Sequence, residues 1–412
     1  MSGAMIFIQE DLKINDLQVG ILAGILNLCA LVGSLAAGRT SDYIGRRYTI
    51  FLSSIIFLVG AILMGYGPNY AVLMTGRCTA GVGVGFALMI APLYAAEISS
   101  PTSRGRLTSL PELWHQYWTP TWLCVKLPFW ETHFETWLEN DAWDCWSPIN
   151  WFGYWGSQNA GVPRCRGEEV WKELFLRPSP AVRRILLAAI GIHFFEHATG
   201  IESVILFSPR IFKKAGVTSR DMLLLATVGI GVTKTVFILL ATFLIDKVGR
   251  RKLLLTSTLG MVISLAGLGF GLTMVENSKK ELAWALSFSM VAGYVYVALF
   301  CIGLGPITWV YSTEIFPLKL RAQGTSVGVA VNRVVNAAVS MSFISIYKAI
   351  TIGGAFFMFA GISVLAWVFF FLCLPETKGR SLEEMEMLFS KYRTTSSDHS
   401  RNDSGMRSTC DA

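Results

Sequence analysis

Residues 38–47 read GRTSDYIGRR and set charges and glycines between two long apolar runs. A related motif, DKVGRR, occupies 246–251 and is again flanked by apolar runs. A second signal is also duplicated. It consists of a glutamate near the end of an apolar run and an arginine seven positions later, and it occurs at 97–104 and 314–321. Two signals repeated in the same order predict two homologous halves.

The amino-acid composition indicates a protein of the lipid bilayer. The chain has 412 residues, of which 53% are hydrophobic and only 15% charged, and its mean hydropathy is +0.50. A net charge of +7 would fit a nucleic-acid partner, but the lysines and arginines lie at the ends of apolar runs, as in cytoplasmic loops. We therefore exclude nucleic acid and expect a multi-pass protein of the plasma membrane. The eight cysteines form no Cys-x-x-Cys pair, so no metal site or cofactor is predicted.

Nine apolar runs are long enough to cross a bilayer, which takes roughly 20 residues. They lie at about 17–37, 48–66, 72–96, 183–207, 222–245, 253–274, 282–308, 324–346 and 352–374. The sequence thus predicts an all-α polytopic membrane protein with an incomplete first half. The predicted domains are an N-terminal helical bundle at 1–113, an anomalous segment at 114–180, a six-helix bundle at 181–376 and a cytoplasmic tail at 377–412.

The segment 114–180 differs from its surroundings in composition. It holds ten of the thirteen tryptophans and no apolar run of spanning length. Tryptophans at this density are typical of an interfacial aromatic belt, but a belt needs adjacent spans, which the segment lacks. The alternative, which we favour, is a non-spanning cytoplasmic stretch that is not a native part of the fold.

Acids and arginines at the predicted cytoplasmic ends of the helices indicate a gate. They can pair when the two halves approach on that side and separate when the halves part. One exposed pair contributes only ~0 to 1 kcal/mol, but ~1.4 kcal/mol from a network changes two populations tenfold. The alternative is that these residues only mark topology, which would require neither acids nor glycines. The predicted gate residues are Asp42, Arg46, Arg47, Glu97, Arg104, Asp246, Arg250, Glu314 and Arg321.

Ionisable residues inside the predicted spans are costly and therefore indicate function. The fourth span carries Glu196, His197 and Glu202, and the fifth carries Lys234. A purely structural alternative pairs Glu196 or Glu202 with Lys234. Trp309 offers an indole face and an N–H donor to a ring-shaped ligand.

The repeated motifs, together with GPITW at 305–309 and PETKG at 375–379, make the chain resemble the sugar porter branch of the major facilitator superfamily. It is most similar to the plant polyol and monosaccharide proton symporters, over roughly 1–112 and 174–392. The resemblance implies two six-helix pseudo-repeats and a secondary active transporter, not an enzyme. Such a transporter carries a polyol or monosaccharide with a proton by alternating access. The alternative is a non-transporting membrane protein, either a sugar sensor or a defective product.

The resemblance also assigns roles to individual residues. The implied substrate-binding residues are Glu196, His197, Glu202, Lys234, Phe300, Trp309 and Asn332. Three of them, Glu196, His197 and Glu202, stand where the family usually has two glutamines and an asparagine. Arg77 is assigned to proton coupling, opposite an aspartate of the family's first helix. We expect the first helix and the normal fifth and sixth helices to be missing, which predicts impaired transport.

Overall fold

The computed structural model describes residues 15–65, 69–99, 104–109, 174, 178–205, 220–277, 283–317 and 319–379. Within these ranges the long elements are all α-helices. They are α1 (Asp16–Ile44), α2 (Arg46–Gly65), α3 (Tyr70–Ile98), α4 (Pro180–Ala198), α5 (Arg220–Val248), α6 (Arg250–Asn277), α7 (Ala283–Ile302), α8 (Leu304–Ile315), α9 (Arg321–Ile350) and α10 (Ile352–Cys373). The described helices provide nine candidate membrane spans, with α7 and α8 forming one span. The predicted all-helical membrane fold with nine spans is confirmed.

The duplicated Gly-Arg-Arg motif forms a one-residue turn between two helices. Gly45 separates α1 from α2 with φ 92°, and Gly249 separates α5 from α6 with φ 103°. Glycine tolerates this left-handed region because it has no Cβ. The next helix begins immediately with Arg46 or Arg250. The motif therefore places an arginine at the start of a helix, next to the acid that ends the preceding one.

Close helix packing holds the N-terminal half together. α3 contacts both α1 and α2. A Cβ added to Gly85 would lie 2.2 Å from the Ala30 carbonyl oxygen, and one added to Gly81 would lie 2.4 Å from that of Leu26. Small residues allow such backbone contact between membrane helices. α1 and α3 therefore pack without side chains between them at these points.

α9 joins the two halves. Its contacts include α4 within the C-terminal half and α1 of the N-terminal half. An apolar cluster connects Phe86 and Met89 of α3 with Trp309 of α8 and Val329 of α9. A larger apolar core lies within the C-terminal half, between α4 and α10. The candidate site lies where α4, α8 and α9 meet the N-terminal half.

The Trp-rich segment predicted at 114–180 lies mostly outside the described residues, and the tail from 380 lies wholly outside them. The domain boundaries at these places stay predictions. A helical turn at 104–109 follows α3 and brings the N-terminal half to the end of α5.

Candidate functional site

A buried polar cluster connects α4 and α9. Glu196 is 3% exposed, and its Oε2 accepts a hydrogen bond of 2.6 Å from the side-chain amide of Asn332. The Oδ1 of Asn332 lies 3.0 Å from Nε2 of His197. Three predicted residues from two separate spans thus converge through direct hydrogen bonds.

Arg333 completes this cluster. Its Nε donates to Oδ1 of Asn332 at 2.8 Å, and its Nη2 lies 3.2 Å from Nε2 of His197. A buried cation is tolerated only beside compensating charges and acceptors. Glu196 and Glu202 both act electrostatically on Arg333, and Oε1 of Glu202 lies 3.8 Å from Nδ1 of His197. Carboxylates therefore balance the charge of this guanidinium.

An aromatic wall borders the cluster. The ring of His193 lies edge-on to Trp309, with 5.5 Å between the ring centroids. Nδ1 of His193 is 3.7 Å from Oε2 of Glu196. His193 therefore contacts both Trp309 and the buried carboxylate, and Trp309 belongs to the apolar cluster that includes residues of α3 across the boundary between the halves.

The other predicted site residues lie farther from this centre. Lys234 is half-buried on α5 and acts electrostatically on His197. Phe300 is 5% exposed and belongs to the apolar core of the C-terminal half. Arg77 is buried in α3, where its Nη1 donates to the Leu22 carbonyl oxygen at 2.6 Å. Arg77 thereby connects α3 to α1.

At the predicted cytoplasmic gate, each half contains a similar ion-pair network. In the N-terminal half, Nη1 of Arg46 lies 2.8 Å from Oδ1 of Asp42. Nε and Nη2 of Arg46 donate to the two carboxylate oxygens of Glu97, each at 3.3 Å.

The C-terminal network repeats this arrangement around Arg250. Its Nη2 lies 2.9 Å from Oε1 of Glu314 and 3.1 Å from Oδ1 of Asp246. The hydroxyl of Thr377 donates to the second oxygen of Glu314 at 2.8 Å, and Glu376 accepts from the backbone N–H groups of Arg250 and Arg251. The PETKG motif thus packs against the start of α6 and the end of α8.

Contacts between the halves connect the two networks. The backbone N–H of Arg106 donates to Oδ2 of Asp246 at 3.1 Å. A hydrogen bond also connects Asp42 with the side chain of Gln323. Burial lowers the pKa of the Arg104 guanidinium, while the nearby charge of Glu314 in the other half opposes this shift.

Two predicted gate residues differ in exposure. Arg47 is exposed, whereas Arg321 is fully buried and donates to the Phe316 carbonyl oxygen at 3.2 Å. The ion pairs around Arg46 and Arg250 form within each half. Across the halves, Nε of Arg106 lies 3.7 Å from Oδ2 of Asp246, and Gln323 bonds to Asp42. That this contact opens and closes during function stays a prediction.

A sequence model of the family described as "Sugar (and other) transporter" matches residues 8–124 and 155–389 of the chain. The chain belongs to this family. The transporter is 56% identical over 447 residues to "Probable polyol transporter 6" of Arabidopsis thaliana, covering 95% of this chain and 90% of the relative. It is 58% identical over 442 residues to "Probable polyol transporter 3" of the same plant, covering 94% and 87%.

Solved structures support the fold of this transporter. The proton:xylose symporter XylE bound to 6-bromo-6-deoxy-D-glucose matches with a TM-score of 0.76 and 22% identity, covering 94% of each chain. An inward-open structure of XylE from E. coli matches with a TM-score of 0.68. The major facilitator fold expected from the motifs is confirmed.

Several residues of this transporter's polar cluster were not predicted from the sequence: Arg333, His193, Asn27 and Asn336. Arg333 was detectable, because an arginine within an apolar run meets the same criterion that selected Glu196. His193 also lies within an apolar run. The two asparagines are uncharged, and nothing in the sequence around them indicates a buried partner on another helix.

Proposed function

We propose that this chain is a secondary transporter that carries a polyol or a monosaccharide, together with a proton, across the plasma membrane. The observation that carries the proposal is the buried cluster of Glu196, Asn332, Arg333 and His197 at the boundary between two helical halves. The names of the two Arabidopsis relatives, both given as polyol transporters, support the substrate class. The name of XylE, a proton:xylose symporter, supports proton coupling.

The chemistry of the cluster suits an uncharged ligand with many hydroxyl groups. A hydroxyl group both donates and accepts hydrogen bonds. The carboxylate of Glu196 can accept, the guanidinium of Arg333 can donate, and the amide of Asn332 can do both. The acids Glu196 and Glu202 are matched by the cations Arg333 and Lys234, so the cluster has no excess charge that would favour an ionic ligand.

Alternating access would use the two halves as the moving parts. In transporters of this kind, the substrate binds near the middle of the membrane while the halves rock around it. We assign Trp309 to the wall of the site, because it lies beside His193 and also contacts α3. We assign Arg77 to proton coupling, as a buried cation of the N-terminal half.

Uptake into proteoliposomes tests this function. The purified chain is reconstituted, and uptake of labelled sorbitol, xylitol and glucose is measured with an inward proton gradient. We expect uptake of at least one of these compounds, with loss of accumulation when a protonophore is added. Uptake that persists unchanged with protonophore would contradict proton symport, and the absence of uptake and binding for all three would contradict the substrate class.

We also propose that residues 114–180 form a non-spanning segment in place of two family helices. The alignment with the first relative spans 447 residues, more than the 412 of this chain, so the relative has internal residues without a counterpart here. The family match also omits 125–154. A chimera that carries the relative's residues in this region should transport faster than the chain itself. Equal rates would contradict the proposal.

A further inference from the structure

Asn27 reaches from the N-terminal half into the polar cluster of the C-terminal half. It lies near the middle of α1. Its Nδ2 donates to Oδ1 of Asn336 at 2.8 Å, and its Oδ1 accepts from Nη1 of Arg333 at 3.3 Å. Asn336 and Arg333 are 2% and 8% exposed. Both ends of one amide therefore bridge α1 and α9 in the protein interior.

The two partners of Asn27 are also partners of the candidate substrate residues. Arg333 donates to Oδ1 of Asn332 and contacts Nε2 of His197. Nδ2 of Asn336 lies 3.3 Å from the other ring nitrogen of His197. The bridge between the halves and the candidate binding site are thus parts of one hydrogen-bond network.

A ligand cannot enter this network without changing it. Asn332, His197, Arg333 and Asn336 already bond to one another, and a buried polar group that loses its partner is costly. A ligand hydroxyl that binds Oδ1 of Asn332 or Nε2 of His197 therefore competes with the contact that each of these atoms makes to Arg333. The guanidinium is a rigid planar fork, so a rotation towards the ligand moves Nη1 away from Asn27.

We propose that Asn27 is a positioning residue that couples occupancy of the binding site to the contact between α1 and α9, through Arg333 and Asn336. In the ligand-free protein the bridge holds the two helices together. Ligand binding draws Arg333 away and releases α1. The identity of the ligand rests on the proposed function, whereas the bridge itself consists only of protein groups.

The bridge lies between two other close contacts of the same helices. A Cβ added to Gly24 would lie 2.3 Å from Cγ of Met341, and one added to Gly38 would lie 2.8 Å from Oγ of Ser326. α1 and α9 therefore pack on both sides of Asn27. Because the helices are stiff, a change at the bridge should be measurable at their ends.

Distance measurements between the helix ends test the proposal. Spectroscopic labels are introduced through non-natural amino acids at Tyr43 and Lys319, which are exposed at the adjoining ends of α1 and α9. The full chain is placed in lipid nanodiscs, and distance distributions are recorded with and without sorbitol. Asn27→Ala removes both groups of the bridge, and Asn27→Asp keeps the acceptor for Arg333. The matched control is Ser340→Ala, because Ser340 donates to Asn336 at 3.2 Å from within α9.

Without ligand, we expect Asn27→Ala to lower the ratio of close to separated distances by about three- to fifteen-fold. This factor corresponds to the free energies measured for hydrogen bonds between membrane helices. Sorbitol should then have a smaller effect than in the wild-type chain. Ser340→Ala should keep the wild-type distribution and the response to sorbitol. Asn27→Asp, which keeps the acceptor for Arg333 but loses the donor to Asn336, should shift the distribution less than Asn27→Ala. Arg333→Lys should shift the distribution, and combining it with Asn27→Ala should add little, because both changes remove the same bond.

Two outcomes would overturn the proposal. One is a ligand-free distribution of Asn27→Ala that matches that of Ser340→Ala. The other is full additivity of Asn27→Ala and Arg333→Lys. A third outcome separates the bridge from its ligand. If the wild-type distances do not change with sorbitol, xylitol or glucose, but ligand-free Asn27→Ala shows the expected shift, the bridge is supported and a polyol or sugar is refuted as its ligand.

Discussion

Replacing Gly105 with alanine should weaken the contact between the halves at the predicted cytoplasmic side. A Cβ at this position would lie 2.4 Å from Oδ1 of Asp246 and 2.7 Å from Cγ2 of Ile245. Both neighbours belong to α5, in the other half. Gly105 lies in a helical turn, so alanine fits the local backbone, and the clash exists only while the halves are in contact.

The size of the effect follows from the bonds that must break. Because ordinary contact begins near 3.4 Å, the carboxylate of Asp246 has to retreat by about 1 Å. It would then lose its 3.1 Å bond from the Arg106 backbone and strain its pair with Arg250. Hydrogen bonds to charged groups contribute ~1.5 to 3 kcal/mol, which corresponds to a shift of about ten- to a hundred-fold towards separated halves. Helix propensity favours alanine in both states and therefore cancels.

Hydrogen–deuterium exchange measures this shift directly. The backbone N–H of Arg106 donates to Asp246 across the boundary, so its exchange should be about ten- to a hundred-fold faster in Gly105→Ala. The control is Gly361→Ala in α10, where an added Cβ meets no atom within 4 Å. Exchange at Arg106 that stays within twofold of both wild type and Gly361→Ala would refute the reasoning.

Three further substitutions test the candidate site. Glu196→Gln removes the charge that balances Arg333 while keeping the shape of the side chain. It should weaken sorbitol binding by about ten-fold or more, as for hydrogen bonds to charged groups. Equal affinity of the variant and the wild type by calorimetry would contradict the assignment of Glu196 to substrate binding. Trp309→Phe keeps the ring but loses the N–H donor, and should raise the KM for uptake about two- to ten-fold. Trp367→Phe, on α10 against Phe371, serves as its control and should leave KM unchanged. Arg77→Gln should abolish accumulation driven by a proton gradient but retain counterflow exchange. The control, Arg39→Gln at an exposed position, should keep both activities. Gradient-driven accumulation by Arg77→Gln would contradict its role.

The membrane spans were predictable because hydropathy and length depend on local composition alone. The duplicated Gly-Arg-Arg turns were predictable for a similar reason, since a positive φ between two helices favours glycine at Gly45 and Gly249. The convergence of Glu196, His197 and Asn332 came from the family resemblance. Periodicity alone does not show that the end of α4 faces the middle of α9.

The partners of the charged residues were harder to predict. The sequence suggested that acids of one half would pair with arginines of the other, and Arg106, which is outside the predicted set, lies 3.7 Å from Asp246 across the halves. In the structure, Arg46 pairs with Asp42 four positions earlier and with Glu97 on the adjacent α3. The turn at Gly45 places Arg46 next to Asp42, and the packing of α2 on α3 places it next to Glu97. Asn27 could not be found from the sequence, because a neutral amide in an apolar run has many possible environments.

The two contacts between the halves differ in how they can open. At the predicted cytoplasmic side, Arg106 has a half-exposed side chain, so water can replace its bonds to Asp246 when the halves separate. At mid-depth, Asn27, Arg333 and Asn336 lie in the interior, where an unpaired charge costs several kcal/mol. The inner bridge can therefore open only if another group takes the place of its lost bonds. A polyhydroxylated ligand supplies such groups, so in the proposed mechanism the inner contact makes separation of the halves depend on the substrate, and the outer contact acts as the predicted gate.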